Sequence, residues 1–519
     1  MKKMNISNRL KDDFNIIIEN KKFILLYFLL LILFVIIIFK IENYTNPFKE
    51  LFILAILLFE GIFCFVYFKK NYKNLHKVAF TIIMIFGITC LLLTPIFVVN
   101  DEAEHFFRID ATSNGVLIPE FNYTTKNYTV TQTSRDLAEY EGQIVTFLDS
   151  STTTTKINNS EAEVNKIFAQ NPFYGYLIPA IGLKFAKILN LTEIFGLWFA
   201  RFFNLLLYAS MACLAIKKAP ILKMPLLICS CIPLAIYQAS SVSIDGFVFG
   251  ISLLIIGYLL YLYKSKSKSI KISNIFVFFS LITLLSLIKP NYIIFGFLIL
   301  LVPRENYENE KYFFISLIAI LVSLIITGVY AKFYSIDSLN NSIRSYSFEQ
   351  QGTNPRGQIN YISSHIGETI LAFSTLIYKV PLLMKRMYNL TYNLFNIDYS
   401  RGIILSIVYY IYFGFVSLFY PLYEKITKID RFKLFLIAFI ILIGTYFIQL
   451  LTWSGVGNFS AGVDWGVHLR YFIPLFTLIP LIININRKNT KLQNLDDYLF
   501  IILIGFMASL PLYIISLFY

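Results

Sequence analysis

The stretch TPIFVVNDEAEHFFRIDATSNG, from Thr94 to Gly115, marks a change in the chain on which the predicted fold depends. It closes an apolar segment at residues 96–99 and then becomes the most ionisable short run in the protein. A hydrophobic helix that leaves the bilayer would place this run at the membrane surface. The stretch therefore predicts the border between a membrane span and a polar loop. Its ionisable side chains are Asp101, Glu102, Glu104, His105, Arg108 and Asp110.

The composition of the whole chain predicts an all-α polytopic membrane protein. Of 519 residues, 57% are hydrophobic, 17% are aromatic and only 15% are charged, a balance that excludes a soluble globular protein. The mean hydropathy is +0.65. The net charge of +14 does not point to nucleic acid, because the basic residues form short clusters between apolar runs, as in cytoplasmic loops. All five cysteines lie in apolar segments, so we expect neither a disulfide framework nor a metal cage.

Apolar runs of the length needed to cross a bilayer, roughly 20 residues, predict about thirteen transmembrane helices. Helices are expected because every backbone amide in lipid must be paired within its own segment. We expect one transmembrane domain over residues 1–485, followed by a cytoplasmic link and a last transmembrane helix over 486–519. The predicted spans are 23–41, 51–68, 78–99, 194–216, 222–240, 246–263, 272–288, 291–303, 311–333, 402–423, 431–453, 470–485 and 498–518.

The Lys and Arg clusters predict the orientation of these spans. Placing the clusters in the cytoplasm puts the N-terminus inside and the C-terminus outside. Residues 100–193 and 335–401 then form two outer loops. In this arrangement Tyr174–Leu189, with Lys184 and Lys187, is an interfacial amphipathic helix, and Ile370–Leu383 dips into the interface without spanning. The abundance of Ile, Lys, Asn, Phe and Tyr is typical of an AT-rich bacterial genome, so we expect a bacterial cytoplasmic membrane.

The run that begins at Asp101 has two interpretations. In a helix, Asp101, His105 and Arg108 share one face, with Glu102 close to it. A carboxylate there could take a proton from an acceptor hydroxyl while its neighbours orient the substrate. The alternative is structural. Asp101 as N-cap and Glu104 at the third helical position form a variant capping box, and Glu104 with Arg108 forms an ordinary ion pair.

Three further polar positions fall on the predicted outer face. Asp245 follows Ser240–Ser243 between two spans, either as a functional carboxylate or as the cap of a tight hairpin. Lys289, before Pro290, runs against the positive-inside trend, so it either binds an anion such as phosphate or extends to lipid headgroups. Arg201 lies inside a span near its outer end. An intramembrane arginine demands a partner, either a lipid phosphate or a carboxylate.

The segment Trp453–Pro474 brings another group of polar residues to this face: Asp464, His468, Arg470 and Tyr471. Its four glycines leave the loop conformationally free and allow close approach to a ligand. An arginine at the mouth of an outer helix suits phosphate, because its planar fork matches phosphate oxygens. The alternative is an arginine that anchors the helix in the headgroup layer.

These motifs together resemble a bacterial polytopic family long filed as a domain of unknown function. Asp101–Arg108 matches its Asp-Glu-x-x-His-x-x-Arg signature, and the likeness covers most of residues 80–480. The chain departs from the family pattern at Asn100, often a proline, and at His468-Leu469, often Gln-Gly. The further matching elements are Asn171–Tyr176 with Pro179-Ala180, Ala200–Asn204, Ser243–Asp245, Lys289-Pro290 and Arg470–Pro474.

That family in turn resembles the C-type (GT-C) membrane glycosyltransferases, which use polyprenyl-phosphate-linked sugars as donors. The resemblance implies a GT-C-like transmembrane domain with Asp101 as general base, assisted by Glu102 and His105. It implies that Arg470, with Lys289 or Arg201, holds the donor phosphate. We add five residues to the predicted substrate-binding set: Arg108, Asp245, Asp464, His468 and Tyr471.

We therefore expect an inverting glycosyltransferase on the extracytoplasmic face, with a polyprenyl-phosphate sugar donor and a cell-surface or lipid-linked glycan acceptor. A carboxylate to deprotonate the acceptor and positive charge for the leaving phosphate fit this chemistry. We expect no cofactor. A divalent cation stays open because Asp and Glu side chains could hold one, but no full oxygen-ligand set is visible at short spacing. The alternatives are a polysaccharide polymerase or ligase, a transporter or flippase of lipid-linked saccharides, and a non-catalytic scaffold.

Overall fold

The computed structural model is an almost entirely helical assembly. It describes residues 6–39, 48–148, 154–336, 338, 352–390, 400–422, 426–459, 467–485 and 494–519. The described α-helices, in chain order, are α1 Ile6–Glu19, α2 Lys21–Ile38, α3 Phe48–Lys70, α4 Leu75–Leu93, α5 Glu102–Ser113, α6 Gln132–Ala138, α7 Leu177–Ile188, α8 Glu193–Lys218, α9 Lys223–Ser230, α10 Pro233–Ala239, α11 Ile244–Tyr263, α12 Ile272–Ile288, α13 Glu310–Tyr330, α14 Pro355–Ser364, α15 Ile366–Met384, α16 Ser400–Phe419, α17 Lys428–Trp453, α18 Ile473–Phe476, α19 Ile479–Ile483 and α20 Leu495–Phe518.

Ten helices in the described residues are long and apolar enough to cross a membrane, which confirms the polytopic all-α class. They are α2, α3, α4, α8, α11, α13, α15, α16, α17 and α20. Nine of these coincide with predicted spans. Two further predicted spans are shorter apolar helices, α12 and the 3₁₀ helix Pro290–Leu301. A 3₁₀ helix rises about 2 Å per residue, so Pro290–Leu301 covers more depth than an α-helix of the same length.

Two predicted spans, 222–240 and 470–485, are not continuous helices in the structure. The first is divided into α9 and α10, which meet at Cys231 and Ile232, and the second into a 3₁₀ turn, α18 and α19. Proline explains the breaks: Pro233, Pro474 and Pro480 each stand in the first turn of a short helix. Proline lacks an N–H, and its ring clashes with the preceding turn.

The segment at Ile370–Leu383 also differs from expectation. Predicted only to dip into the interface, it belongs to α15, a 19-residue helix that by length and composition qualifies as a span. Pro381 lies within its last turn, where it removes one backbone hydrogen bond.

Helix α8 lies at the centre of the core and packs against α4, α7 and α11. The close approach of α7 and α11 to α8 depends on glycine residues at the contacts. A Cβ at Gly257 of α11 would stand 2.4 Å from the carbonyl oxygen of Ala215 on α8, and one at Gly182 of α7 would stand 2.6 Å from that of Phe199. Small residues at helix contacts let backbones approach in this way, which is typical of membrane helices. Helix α8 is therefore packed closely against α7 and α11.

The large loop after α4 contains regular secondary structure where the structure describes it. It contains α5, α6, α7 and a small antiparallel pair, β1 Tyr128–Thr131 and β2 Glu161–Val164. The predicted amphipathic helix Tyr174–Leu189 is present as α7, with Lys184 exposed. Lys187 was expected to face the interface and is instead buried, because it ion-pairs with Asp110 of α5. Of the Thr-rich tract 151–155, residues 151–153 lie outside the described part.

Candidate functional site

The chain enters the site through a strained turn between α4 and α5. Phe97 and Asp101 both have left-handed backbone conformations, with φ of 51° and 65°. Such conformations are costly for phenylalanine and better tolerated by aspartate, and they often mark functional sites. Asp101 occupies the N-cap position of α5, yet its side chain accepts no capping bond from the described helix. The capping-box interpretation of Asp101 is therefore wrong.

Glu102, the next residue, is buried and forms an ion pair that supports the site. Arg201 of α8 donates from Nε and Nη2 to the two carboxylate oxygens, at 2.8 and 2.7 Å. Its remaining N–H groups point to the carbonyls of Leu91, Thr94 and Pro95. All five N–H groups of Arg201 are thus used, and none is left for a phosphate. The structure places Glu102 and Arg201 in the support of the site rather than at its surface.

The Glu102 carboxylate also holds the turn between α10 and α11, which borders the site. Glu102 Oε1 accepts a hydrogen bond from the backbone N–H of Val242 at 3.0 Å, and Asn204 Nδ2 donates to the carbonyls of Ser241 and Ser243 at 2.8 and 3.0 Å. The turn between α10 and α11 is therefore held against α8. Ser243, rather than Asp245, caps α11, so the Asp245 carboxylate is available for other contacts.

Four ionisable side chains converge beside the turn before α5 and the turn before α11. We call them the charge cluster: Asp101, Asp245, Lys289 and Arg470. Arg470 Nη2 donates to Asp101 Oδ2, and Nη1 donates to the Asn100 carbonyl at 3.1 Å. Arg470 Nε lies 3.6 Å from Asp245 Oδ2. Lys289 Nζ lies 3.7 Å from Asp245 Oδ1. Sequence positions up to 369 apart meet here.

The ring of Tyr471 supports both cations of the cluster. Lys289 Nζ lies 4.7 Å from the ring centroid and the Arg470 guanidinium carbon 5.3 Å, distances within the range of cation–π attraction. Tyr292 OH donates to the Tyr471 carbonyl at 2.6 Å, which holds this residue against the 3₁₀ helix Pro290–Leu301. Both positive groups therefore lie against the same aromatic ring.

Exposure divides the charge cluster into an inner and an outer part. The side chains of Asp245 and Arg470 are 4% and 5% exposed, whereas those of Asp101 and Lys289 are 20% and 29% exposed. One carboxylate and one cation thus reach the surface. An anion that approaches this surface meets Lys289 first and Arg470 behind Asp101, a suitable arrangement for binding phosphate next to a potential base.

His468 borders the charge cluster, with its ring edge-on to Tyr471 at 5.7 Å between centroids. Burial lowers the pKa of His468 to about 3, and the positive charge of Arg470 acts in the same direction. The imidazole is therefore neutral at physiological pH and adds no charge to the cluster. Asp464, predicted as part of this group, lies outside the described residues.

His105 and Arg108 belong to a second network, on the loop side of α5. His105 Nδ1 lies 2.8 Å from Tyr176 OH, and its ring stacks on Phe168. Arg108 donates to Thr112 Oγ1 at 2.9 Å and to the Leu117 carbonyl at 2.7 Å. Both side chains are buried. We therefore assign them to the folding of the loop.

The Glu104–Arg108 ion pair expected under the structural interpretation is not formed. Glu104 instead lies 3.8 Å from Lys166, which in turn contacts Glu141.

Sequence reasoning missed several residues that hold the site. Asp110 and Lys187 form a buried ion pair at 2.5 Å, and Asp110 also accepts from the Thr131 amide at 2.7 Å. Burial lowers the pKa of Lys187, while the neighbouring Asp110 raises it. The available signal was Asp110 itself, an ionisable residue on the apolar side of an amphipathic helix. Tyr292 gave no comparable signal, since it stands in an apolar run, and Asn204 was noted only as the end of the matching element Ala200–Asn204.

These features define a polytopic helical membrane protein with a polar, charge-paired site at one end of its bundle. Within that class, the chain belongs to the family DUF2142, described as a predicted membrane protein, whose family model matches residues 84–479. No curated protein and no solved structure matches the chain. In the described part of the chain, no group of three or more His, Cys, Asp or Glu residues is placed to hold a metal ion.

Proposed function

We propose that this protein is an inverting GT-C-type glycosyltransferase that moves a sugar from a polyprenyl-phosphate carrier to a cell-surface or lipid-linked glycan. The charge cluster is the observation that carries the proposal. It places a partly exposed carboxylate, Asp101, beside two cations, Lys289 and Arg470, at the end of a transmembrane bundle. A membrane-borne phosphate ester can reach such a position without leaving the bilayer.

In the proposed reaction Asp101 is the general base. The acceptor hydroxyl loses its proton to the Asp101 carboxylate as its oxygen bonds to the anomeric carbon of the donor sugar. The bond from that carbon to the phosphate oxygen breaks, and the polyprenyl phosphate leaves with the electron pair. Lys289 and Arg470 stabilise the charge that develops on the leaving phosphate, so no general acid is required.

The distribution of basic residues supports a site on the extracytoplasmic face. Lys69 pairs with Asp497 at 2.9 Å, and Lys433 Nζ contacts the Leu300 carbonyl at 3.2 Å, both at the helix ends opposite the charge cluster. Basic residues close to helix ends mark the cytoplasmic side in most membrane proteins. The charge cluster then faces the compartment in which cell-surface glycans are assembled.

Reconstitution tests the proposal directly. The purified protein in phosphatidylethanolamine and phosphatidylglycerol vesicles is supplied with a panel of polyprenyl-monophosphate hexoses and a bacterial glycolipid extract as acceptor. Mass spectrometry measures the polyprenyl phosphate released and the glycan formed. Asp101→Asn should abolish transfer. Asp136→Asn is the matched control, because Asp136 lies in the same loop, outside the charge cluster, and its carboxylate accepts a hydrogen bond from Gln132 of the same helix. Full transfer by Asp101→Asn would overturn the assignment.

The alternative functions give different results in the same vesicles. A polymerase or ligase consumes the matched polyprenyl-diphosphate donors and ignores the monophosphates. A flippase moves intact donor between leaflets, which is detected by periodate oxidation of the outer sugars, and leaves the sugar–phosphate bond whole. A scaffold does neither. Each of these outcomes replaces the transferase assignment.

A further inference from the structure

We propose that Asp245 is a fixed counter-ion that positions Arg470 and Lys289, whereas Asp101 is an exchangeable counter-ion that the donor phosphate displaces from Arg470. This inference rests on the proposed function and adds two distinct roles for the two carboxylates. Asp245 becomes a positioning residue rather than a substrate ligand. The Asp101–Arg470 ion pair is then present in the protein without donor, and binding of the donor phosphate breaks it.

The geometry of Asp245 suits a fixed role. Its two carboxylate oxygens face different cations, Oδ2 towards Arg470 at 3.6 Å and Oδ1 towards Lys289 at 3.7 Å. It stands in the first turn of α11, where the helix dipole favours negative charge, and the preceding turn is tied to α8 through Asn204. With a 4% exposed side chain, Asp245 has no route by which to exchange its partners for water.

Asp101 differs in each of these respects. It lies in the entry turn rather than within a helix, and its side chain is 20% exposed. It engages Arg470 through Nη2, a different nitrogen from the Nε that lies near Asp245. Its backbone is in the left-handed conformation, with φ of 65°. An incoming phosphate that needs the same Nη2 donor must therefore take the place of Asp101.

This exchange couples substrate binding to the activation of the base. A carboxylate paired with arginine is a weak proton acceptor, since the cation stabilises its ionised form. When phosphate takes over Arg470, Asp101 loses that stabilisation and becomes a stronger base beside the bound donor. Asp101 is thus a weak base until a donor phosphate is bound. This limits the activation of water in place of the acceptor hydroxyl.

Binding measurements without turnover test the inference. Farnesyl phosphate is the probe, since it offers a phosphate monoester on an isoprenoid chain and no sugar to transfer. Isothermal titration calorimetry in detergent compares wild type with Asp101→Asn. Asparagine, like aspartate, tolerates the left-handed backbone conformation at this position. Removal of the competing carboxylate should tighten binding by about tenfold, the scale of one charge-assisted hydrogen bond. Asp245→Asn should weaken binding, and Asp136→Asn should leave it unchanged.

Two controls separate competition from a general change in charge. In an Arg470→Ala background, Asp101→Asn should no longer alter affinity, because the shared donor is gone. Inorganic phosphate and farnesol, titrated in parallel, show whether a free phosphate or the isoprenoid chain accounts for the binding.

Unchanged or weaker binding of farnesyl phosphate by Asp101→Asn would overturn the exchange. Equal tightening in the Arg470→Ala background would do the same. Neither result bears on whether Asp101 is needed for transfer, which the product assay decides separately.

Discussion

Arg201 and Glu102 form a bidentate ion pair in which both side chains are completely buried, 99 positions apart in the sequence. The pair joins the entry turn of the large loop to the central helix α8. Through the Val242 amide, Glu102 also holds the turn before α11. The charge cluster therefore rests on a buried polar support, and the geometry of Asp101 depends on a neighbour that no substrate reaches.

Loss of Glu102 should be severe for stability. Glu102→Ala leaves the Arg201 guanidinium charged, buried and without its carboxylate, a change that costs about 3–5 kcal/mol in buried ion pairs. We expect a large fall in the thermal unfolding midpoint in detergent, measured by intrinsic fluorescence. Glu120→Ala, at an exposed position of the same loop, is the control and should unfold as wild type does. An unchanged midpoint for Glu102→Ala would contradict the described support.

Two lysines on helix α7 provide a matched pair of substitutions. Lys187 is buried against Asp110 and also donates to Ser113 Oγ at 2.7 Å, whereas Lys184 is exposed. Lys187→Ala leaves the buried Asp110 carboxylate without its lysine partner and should destabilise the loop by about 3–5 kcal/mol. Lys184→Ala should have little effect. Limited proteolysis of the loop measures both, with faster cleavage expected for Lys187→Ala alone. Equal cleavage of the two variants would show that α7 lies at an interface, as its amphipathic pattern suggested.

Arginine and lysine should not be interchangeable within the charge cluster. Arg470 contacts three groups through three different nitrogens, namely the Asn100 carbonyl, Asp101 and Asp245, which a lysine with its single ammonium nitrogen cannot reproduce. Arg470→Lys should reduce polyprenyl phosphate release by about a hundredfold, the scale of one lost electrostatic contact to a developing anion. Lys289→Arg should retain most of the activity because its side chain is partly exposed. The reverse ranking would assign the phosphate to Lys289 alone.

His468 should make the folded protein sensitive to acid. Its pKa is about 3 in the folded state, below the usual value of 6.5, so below pH 6.5 the unfolded chain binds a proton that the folded protein does not. Stability therefore falls as the pH decreases from 6.5 towards 3. Between pH 7 and pH 5 the expected loss is about 2 kcal/mol.

His468→Asn isolates that contribution. The variant removes the titrating ring, so its unfolding midpoint should fall less than that of wild type over the same pH interval. Carboxylates elsewhere titrate in both proteins, which is why the difference between the two is the quantity to compare. Identical pH profiles would mean that His468 is solvated in the folded protein.

The sequence by itself determined the class of this protein and the approximate position of its site. Runs of about 20 apolar residues leave few alternatives to transmembrane helices, because unpaired backbone amides are too costly in lipid. Nine of the predicted spans became long helices. Ionisable residues at the ends of such runs are conspicuous for the same reason, so Asp101, Asp245, Lys289 and Arg470 could be selected before their contacts were known.

Only the tertiary structure decided which charges meet. Glu102 and Asp101 are adjacent in sequence, yet one is sealed against Arg201 and the other partly faces solvent with Arg470. Local spacing cannot distinguish the two, because the difference arises from packing against α8 and against the segment before α18, which are remote in the chain. Burial and the directions of the donor groups separate a supporting ion pair from an exchangeable one, and both are properties of the assembled helices.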